Sequence, residues 1–425
     1  MTFKETKERL SSAAAVFCKP GTERVMALCQ KLGMPQNSFR AIHITGTNGK
    51  GSTTHMIERV LYASGYRTGQ FSSPYLLCPT ECVRIDGAPV SKRRFASVAK
   101  RVFDAAKDMT DPPTEFELLT VIAFLAFWEE NIDVAVIEVG MGGRTDATNV
   151  IDAPALSVIT GVSLEHTAFL GDTVKAIAGE KAGIIKQGCP VLYGGKDEEA
   201  YSVIRARAEA LNAPLYRTAP EKIAVLSASA AGTVFTYRER KALTLPLLGL
   251  YQVKNAALAL DALTILSKTF PRIREESILQ GFSSLAWEAR FERICDDPPV
   301  YFDGAHNPDG IAAAKESIMT YFQGGVILVG GILADKDYLA VAHLLSPHVK
   351  TAFTVTPKNP RALSAKAYAE AFKSAGVPAI PTRSVLSALS RAKEMAKDAS
   401  LPVLCIGSLY LYADIRKAVK KTSHK

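Results

Sequence analysis

One short loop, Gly46-Thr47-Asn48-Gly49-Lys50-Gly51-Ser52, holds three glycines, a lysine and hydroxyls in succession. Glycines let consecutive backbone N–H groups converge on one anion, and a helix N-terminus adds donors and a favourable dipole. Lys50 brings a mobile positive charge for outer phosphates, and Ser52 a hydroxyl of the kind that binds magnesium. That chemistry is the binding of a nucleoside triphosphate. The loop departs from the eight-residue Walker spacing, which needs glycine at position 44 and Ser or Thr at 51. Here those positions hold Ile44 and Gly51.

Other candidate groups recur at the ends of apolar runs. Glu138 ends Asp133–Val139, where a carboxylate can reach a nucleotide-bound metal or simply sit in solvent. His166 follows the next run, and Ser73 follows another, so the three converge if the runs form one parallel sheet. A lone histidine is more often structural than a ligand. The loop 140–149 carries Asp146 and Asn149, and either closes over a substrate or is only a long turn. Lys181, within GEKAGIIK, reads as a solvated helix face. In FDGAHNP, Asp303 and His306 bond a ribose or a substrate, or cap a helix that starts at Pro308.

The elements that position these groups alternate. A strand over 41–45 precedes the loop, and a helix with Met56, Ile57, Val60 and Leu61 on one face follows it. Strands are expected near 68–72, 133–139 and 155–159, and helices over 116–128, 172–186 and 252–266. Residues 233–247 read as antiparallel strands. A charged stretch ending in DDPP is the linker candidate. Further strands are expected at 300–302, 326–329, 351–355 and 403–406. The fold class is therefore α/β: an N-terminal P-loop-type domain with a mostly parallel sheet and an antiparallel addition, then a smaller Rossmann-like domain. The boundaries are 1–286, a linker over 287–299, and 300–425.

Composition bounds the rest. A chain of 425 residues suggests two domains, and 48% hydrophobic with 22% charged residues is ordinary for a globular protein. The longest apolar run, 118–128, is too short to span a membrane, and the polar N-terminus lacks a signal-peptide pattern. A cytoplasmic protein is expected. The cysteines at 18, 29, 78, 82, 189, 295 and 405 read as free thiols. The net charge of +9 suits anionic ligands or a solvated surface with a basic tail, and no arginine stripe with interleaved aromatics points to nucleic acid.

The motifs GTNGKGST, SSPYL, TEFELLT, VIEVGMGGRTDATN, SLEHTAFLGDT, EKAGIIK, QVKNA, DGAHNP, LADKD and IGSLYL, in this order, resemble the folylpolyglutamate synthase and dihydrofolate synthase family of the Mur ligase superfamily. Gly51 after Lys50 is typical of its folate branch. The resemblance implies an ATP-dependent acid–amino-acid ligase of folate biosynthesis and one-carbon metabolism. ATP, the co-substrate, phosphorylates a carboxylate, and the amine of L-glutamate attacks the acyl phosphate. The implied acceptors are dihydropteroate, with reduced folates as a second activity. The alternatives are a monofunctional folylpolyglutamate synthase or a cell-wall Mur-type ligase.

Carried over by position, Gly46, Thr47, Asn48, Gly49, Lys50, Gly51 and Ser52 bind ATP together with Asn255, Arg290, Asp303 and His306. Ser73, Glu138 and His166 are the implied ligands of Mg2+, two ions in all. Lys50, Lys181 and His166 are the implied catalytic residues, and Lys181 matches a lysine that the family carbamylates. Thr114, Glu115, Phe116 and Glu117, with Thr145, Asp146 and Ala147, are the implied substrate region. The family is often monomeric. Three departures stand out: Glu288-Ala289 for the usual proline-glycine before Arg290, Tyr251 for a frequent histidine, and Glu115 for a frequent aromatic residue.

Overall fold

The computed structural model describes residues 1–14 and 20–422. Cys18 and the last three residues of the basic tail lie outside them. Two compact units form, residues 1–222 with 255–285, and residues 223–254 with 286–425.

The first unit is built on one sheet, with β1 (Arg40–Thr45), β2 (Thr68–Phe71), β3 (Val83–Ile85), β4 (Ala88–Pro89), β5 (Val134–Glu138), β6 (Leu156–Ile159), β7 (Val191–Tyr193) and β8 (Leu215–Arg217). Their order is β4-β3-β2-β5-β1-β6-β7-β8. The run from β2 to β8 is parallel, and the hairpin β3–β4 joins β2 antiparallel. β1, β2, β5 and β6 are buried almost throughout, polar residues such as His43, Gln70 and Ser157 included, because both sheet faces are covered, and only Arg40 among their residues is exposed. In register, Ile44 pairs with Glu138, Thr45 with Ile159 and Phe71 with Ile137. The carboxyl ends of four neighbouring strands therefore reach the same level.

The helix Glu115–Glu129 packs in the core of this unit, with eleven consecutive buried residues, Glu117 to Phe127. A helix that is apolar on all sides is buried on all sides. Its start is set by a reciprocal capping box, in which Glu117 N–H donates to Thr114 Oγ1 and Thr114 N–H to Glu117. The expected helix over 172–186 is shorter. It runs Val174–Lys181, tightens into a 3-10 turn over Ala182–Ile184, and is opened by the Thr173 hydroxyl.

The second unit holds β9 (Ile223–Ser229), β10 (Gly232–Tyr237), β11 (Arg240–Leu245), β12 (Glu292–Asp296), β13 (Pro299–Asp303), β14 (Val326–Gly330), β15 (Val349–Thr354), β16 (Ala379–Pro381) and β17 (Val403–Ile406). β9 to β11 form a three-stranded antiparallel sheet. The other six lie in the order β12-β13-β17-β14-β15-β16, parallel except for β12. Two expectations change here. Residues 223–254 group with the second unit rather than with the first. The stretch 287–299 contains the edge strand β12, with DDPP as its hairpin turn into β13. Its charges mark an edge with a solvated face, which imitates a linker in sequence. Among the described residues, no helix is long and apolar enough to cross a membrane, and every cysteine there is a free thiol.

Candidate active site

The glycine loop follows β1, and its last residues open the helix Lys50–Ala63. Gly49 is the N-cap at φ +85°, and a Cβ there would lie 2.4 Å from Asn255 Oδ1. At Gly46, φ +146°, a Cβ would lie within 1.9 Å of Thr160 Oγ1. Only glycine fits either position. Thr160 Oγ1 donates to Asn48 O at 2.6 Å, and Thr47 N–H donates to Gly161 O at 2.9 Å. Thr47 Oγ1 also accepts from Ser163 N–H at 3.1 Å. The loop is thus tied to the segment after β6. The Lys50 ammonium donates to its own loop's carbonyls, Gly46 O at 2.8 Å and Thr47 O at 3.1 Å.

Neighbouring strand ends bring the next groups. Glu138, the last residue of β5, is only 5% exposed, which rules out the solvated-acid reading. Ser73 N–H donates to Glu138 Oε2 at 3.3 Å. Ser52 is buried in the first turn of the loop helix. Among the described residues, no three His, Cys, Asp or Glu side chains group as a metal cage. One buried carboxylate with serine hydroxyls fits magnesium, which keeps waters and takes further oxygens from phosphates.

Lys181 is 1% exposed, so it is not a solvated helix face. Its Nζ donates to Glu165 Oε1 at 2.6 Å. Burial pushes the ammonium down to about 8 and Lys50 acts in the same direction, against the pull of Glu165. Burial raises the Glu165 carboxyl, but the charges of Lys50 and Lys181 outweigh it and hold the group below its ordinary range. His166 also acts on Glu165. Its backbone is left-handed, φ +46°, and its side chain is exposed.

Beside this lies a second cluster of the same unit. Asp146 is buried and accepts from Met141 N–H at 3.0 Å, Thr148 N–H at 2.9 Å and Thr148 Oγ1 at 2.6 Å. Burial raises its pKa. With the Thr148 hydrogen committed to Asp146, His43 Nε2 must donate to Thr148 Oγ1, 2.8 Å away. Arg24, 8% exposed, ties Glu117 and Asp111, each at 2.9 Å. Glu115 is half-buried and accepts from the Tyr75 hydroxyl at 3.2 Å, and burial raises it. The neighbouring Phe116 ring covers Gly140, where a Cβ would lie 2.5 Å from the ring.

In the second unit, Asp303 ends β13 and is buried. It accepts from Tyr251 OH at 2.5 Å, Phe291 N–H at 2.9 Å and Ala305 N–H at 2.7 Å. Burial raises its pKa against these bonds. The half-buried Arg290 donates to Ala289 O at 3.1 Å. The His306 ring lies 2.9 Å from Gly304 O through Nδ1. Asn307 caps the helix Pro308–Tyr321, so capping is not the task of Asp303.

Known domains cover the chain in two pieces. The Mur ligase middle domain matches residues 44–263, and the Mur ligase glutamate ligase domain matches 289–409. Folylpolyglutamate synthase of Lacticaseibacillus casei is 35% identical over 99% of each chain. Dihydrofolate synthase/folylpolyglutamate synthase of Bacillus subtilis is 35% identical over 95% of each. The chain belongs to the folylpolyglutamate synthase and dihydrofolate synthase family of Mur ligases. The solved structure of E. coli FolC in complex with DHPP and ADP superposes with a TM-score of 0.87 at 28% identity, covering 100% of this chain and 99% of that one.

In the first unit, Asn255 meets the loop at Gly49, Lys181 lies near enough to feel the charge of Lys50, and Glu138 pairs in register with Ile44 on the strand that leads into the loop. Thr114 and Glu117 are engaged in the capping box, and Glu117 also in the Arg24 pair, which leaves Glu115 and Phe116 less committed. Thr145 and Ala147 flank Asp146, and Ala147 is buried. The sequence reading missed Glu165, Thr160 and Arg24. Glu165 stands next to His166 in SLEHT and carried a signal. Thr160 and Arg24 carried none, because their partners are remote in the chain.

Proposed function

We propose that the protein joins L-glutamate to dihydropteroate, making dihydrofolate, and also extends reduced folates. It is an ATP-dependent acid–amino-acid ligase, and ATP is its co-substrate. The observation that carries the reading is the glycine loop, braced by Thr160 and Asn255, with the buried Glu138 bonded to Ser73 at the end of a neighbouring strand. Relatives named for both activities support two acceptors.

The geometry suits acyl phosphate chemistry. Carboxylates are poor electrophiles until their oxygen becomes part of a phosphate leaving group. Backbone donors of residues 47–51 and the Lys50 ammonium hold the triphosphate and offset charge on its terminal phosphate. Lys50 would leave the carbonyls of Gly46 and Thr47 to do so. Glu138, Ser73, Ser52 and His166 would hold magnesium, which supplies Lewis acidity toward phosphate oxygens. Glu165 fixes Lys181 by an ion pair, and the depressed pKa of Lys181 leaves a neutral fraction able to take up carbon dioxide as a carbamate, with release of a proton. Glu115, Phe116 and Asp146 are assigned to the pteridine acceptor. Arg290, Asp303 and His306 are assigned to the nucleotide. A monomer in the cytoplasm completes the reading.

Purified protein is given ATP, magnesium and glutamate with either dihydropteroate or tetrahydrofolate, and ADP release is followed. Release with both acceptors is expected. Release with tetrahydrofolate alone would establish the monofunctional alternative, and release with neither would overturn the reading.

A further inference from the structure

The turn that carries Arg290 is held in an unfavourable conformation. Ala289 and Phe291 on either side of it both adopt left-handed backbone angles, φ +57° and +52°. Such angles are costly for residues with a Cβ and persist only where surroundings enforce them. Here the enforcement is visible. Ala289 N–H donates to Glu292 Oε2 at 2.8 Å, and Ala289 O accepts from Gly304 N–H at 3.0 Å. Phe291 N–H donates to Asp303 Oδ2, the same oxygen that accepts from Tyr251 OH. The other oxygen, Oδ1, takes Ala305 N–H. Asp303 therefore accepts from three protein donors and is buried. Arg290, by contrast, is half-buried and has no carboxylate within ion-pair distance among the described residues. A guanidinium fixed by a strained turn, held by no ion pair among the described residues and felt by Asp303 only at longer range, is suited to an anionic ligand.

We propose that Tyr251 is a positioning residue, whose hydroxyl orients Asp303 so that this carboxylate clamps the 289–291 turn and aims Arg290 at the anionic part of the nucleotide. Tyr251 acts through Asp303 and Arg290 and need not touch the ligand. Its neutral hydroxyl is a donor without a competing charge, so it does not draw Asp303 away from the Phe291 amide. The inference rests on the nucleotide assignment of Arg290.

The test is calorimetric binding of ADP to the full chain without any acceptor, so that it does not depend on the folate reaction. Tyr251→Phe is expected to weaken ADP about tenfold, and also to lower the melting temperature because a bond to a buried carboxylate is lost from the free protein. In an Arg290→Ala background the same change is expected to cost less than about twofold, because the two residues act as one unit. Tyr251→His, which keeps a donor, is expected to bind ADP nearly as the parent does. Unchanged binding in Tyr251→Phe, or an equal loss with and without Arg290, would overturn the proposal. Should Tyr251→Phe fail to fold, Tyr251→His decides, and a tenfold loss there overturns it. A parent protein that binds ADP but turns over neither folate acceptor would remove the ligase reading and leave this inference standing.

Discussion

Gly49 and Asn255 face each other so closely that a single added carbon on Gly49 would lie 2.4 Å from the Asn255 side-chain oxygen. Two motifs some two hundred positions apart thus share one contact, and the helix that begins at Lys50 starts from it. Gly49→Ala meets that contact and a φ of +85° together. It is expected to cost about 1–3 kcal/mol in urea unfolding. ADP release is expected to fall about a hundredfold, since displaced amides no longer converge on the phosphates. Near-parental turnover would show that Asn255 moves aside freely.

Arg24 is the only cation paired with Glu117 among the described residues, and both side chains are under a tenth exposed. Arg24→Met leaves a buried carboxylate without its charge partner. The expected loss is about 3–5 kcal/mol by urea denaturation. Adding Glu117→Gln is expected to recover part of it, because glutamine can still close the capping box on Thr114.

His43 is fully buried, and burial, helped by Lys186, lowers its pKa from 6.5 to about 3. Its Nδ1 has no hydrogen-bond partner, so a second proton has nowhere to be satisfied. Between pH 6.5 and about 3 the unfolded chain therefore holds a proton that the folded one lacks. This group's contribution is complete above pH 6.5 and lost as pH falls, by about 1.4 kcal/mol per unit. Urea midpoints against pH should show this slope reduced in His43→Gln. Parallel curves for the two proteins would mean that His43 protonates within the fold.

Glu115 is half-buried and accepts from the Tyr75 hydroxyl at 3.2 Å. Glu115→Ala is expected to raise KM for the folate acceptor about tenfold while KM for ATP stays within about twofold. A change confined to ATP would place Glu115 away from the acceptor.

The long buried helix at 115–129 was legible because it is apolar on every side, and β5 because Val134 to Ile137 form a short apolar run. β12 and β9 were not. Both are edge strands of mixed polarity, and β9 even exposes Val225 and Leu226, so no burial pattern marks them. Lys181 illustrates the same limit within a site. A lysine in a helix looks solvated until its neighbours are known, and here they bury it against Glu165.

What the order of residues determined by itself was local. Three glycines with Lys50 and Ser52 define a phosphate loop wherever a strand precedes and a helix follows, because backbone freedom and side-chain type reside in those residues alone. What only the tertiary structure decided was partnership: Thr160 with Asn48, Glu165 with Lys181, Ser73 with Glu138, Tyr251 with Asp303. Each joins segments whose proximity follows from sheet order and register, and so do the burial and charge that set their chemistry.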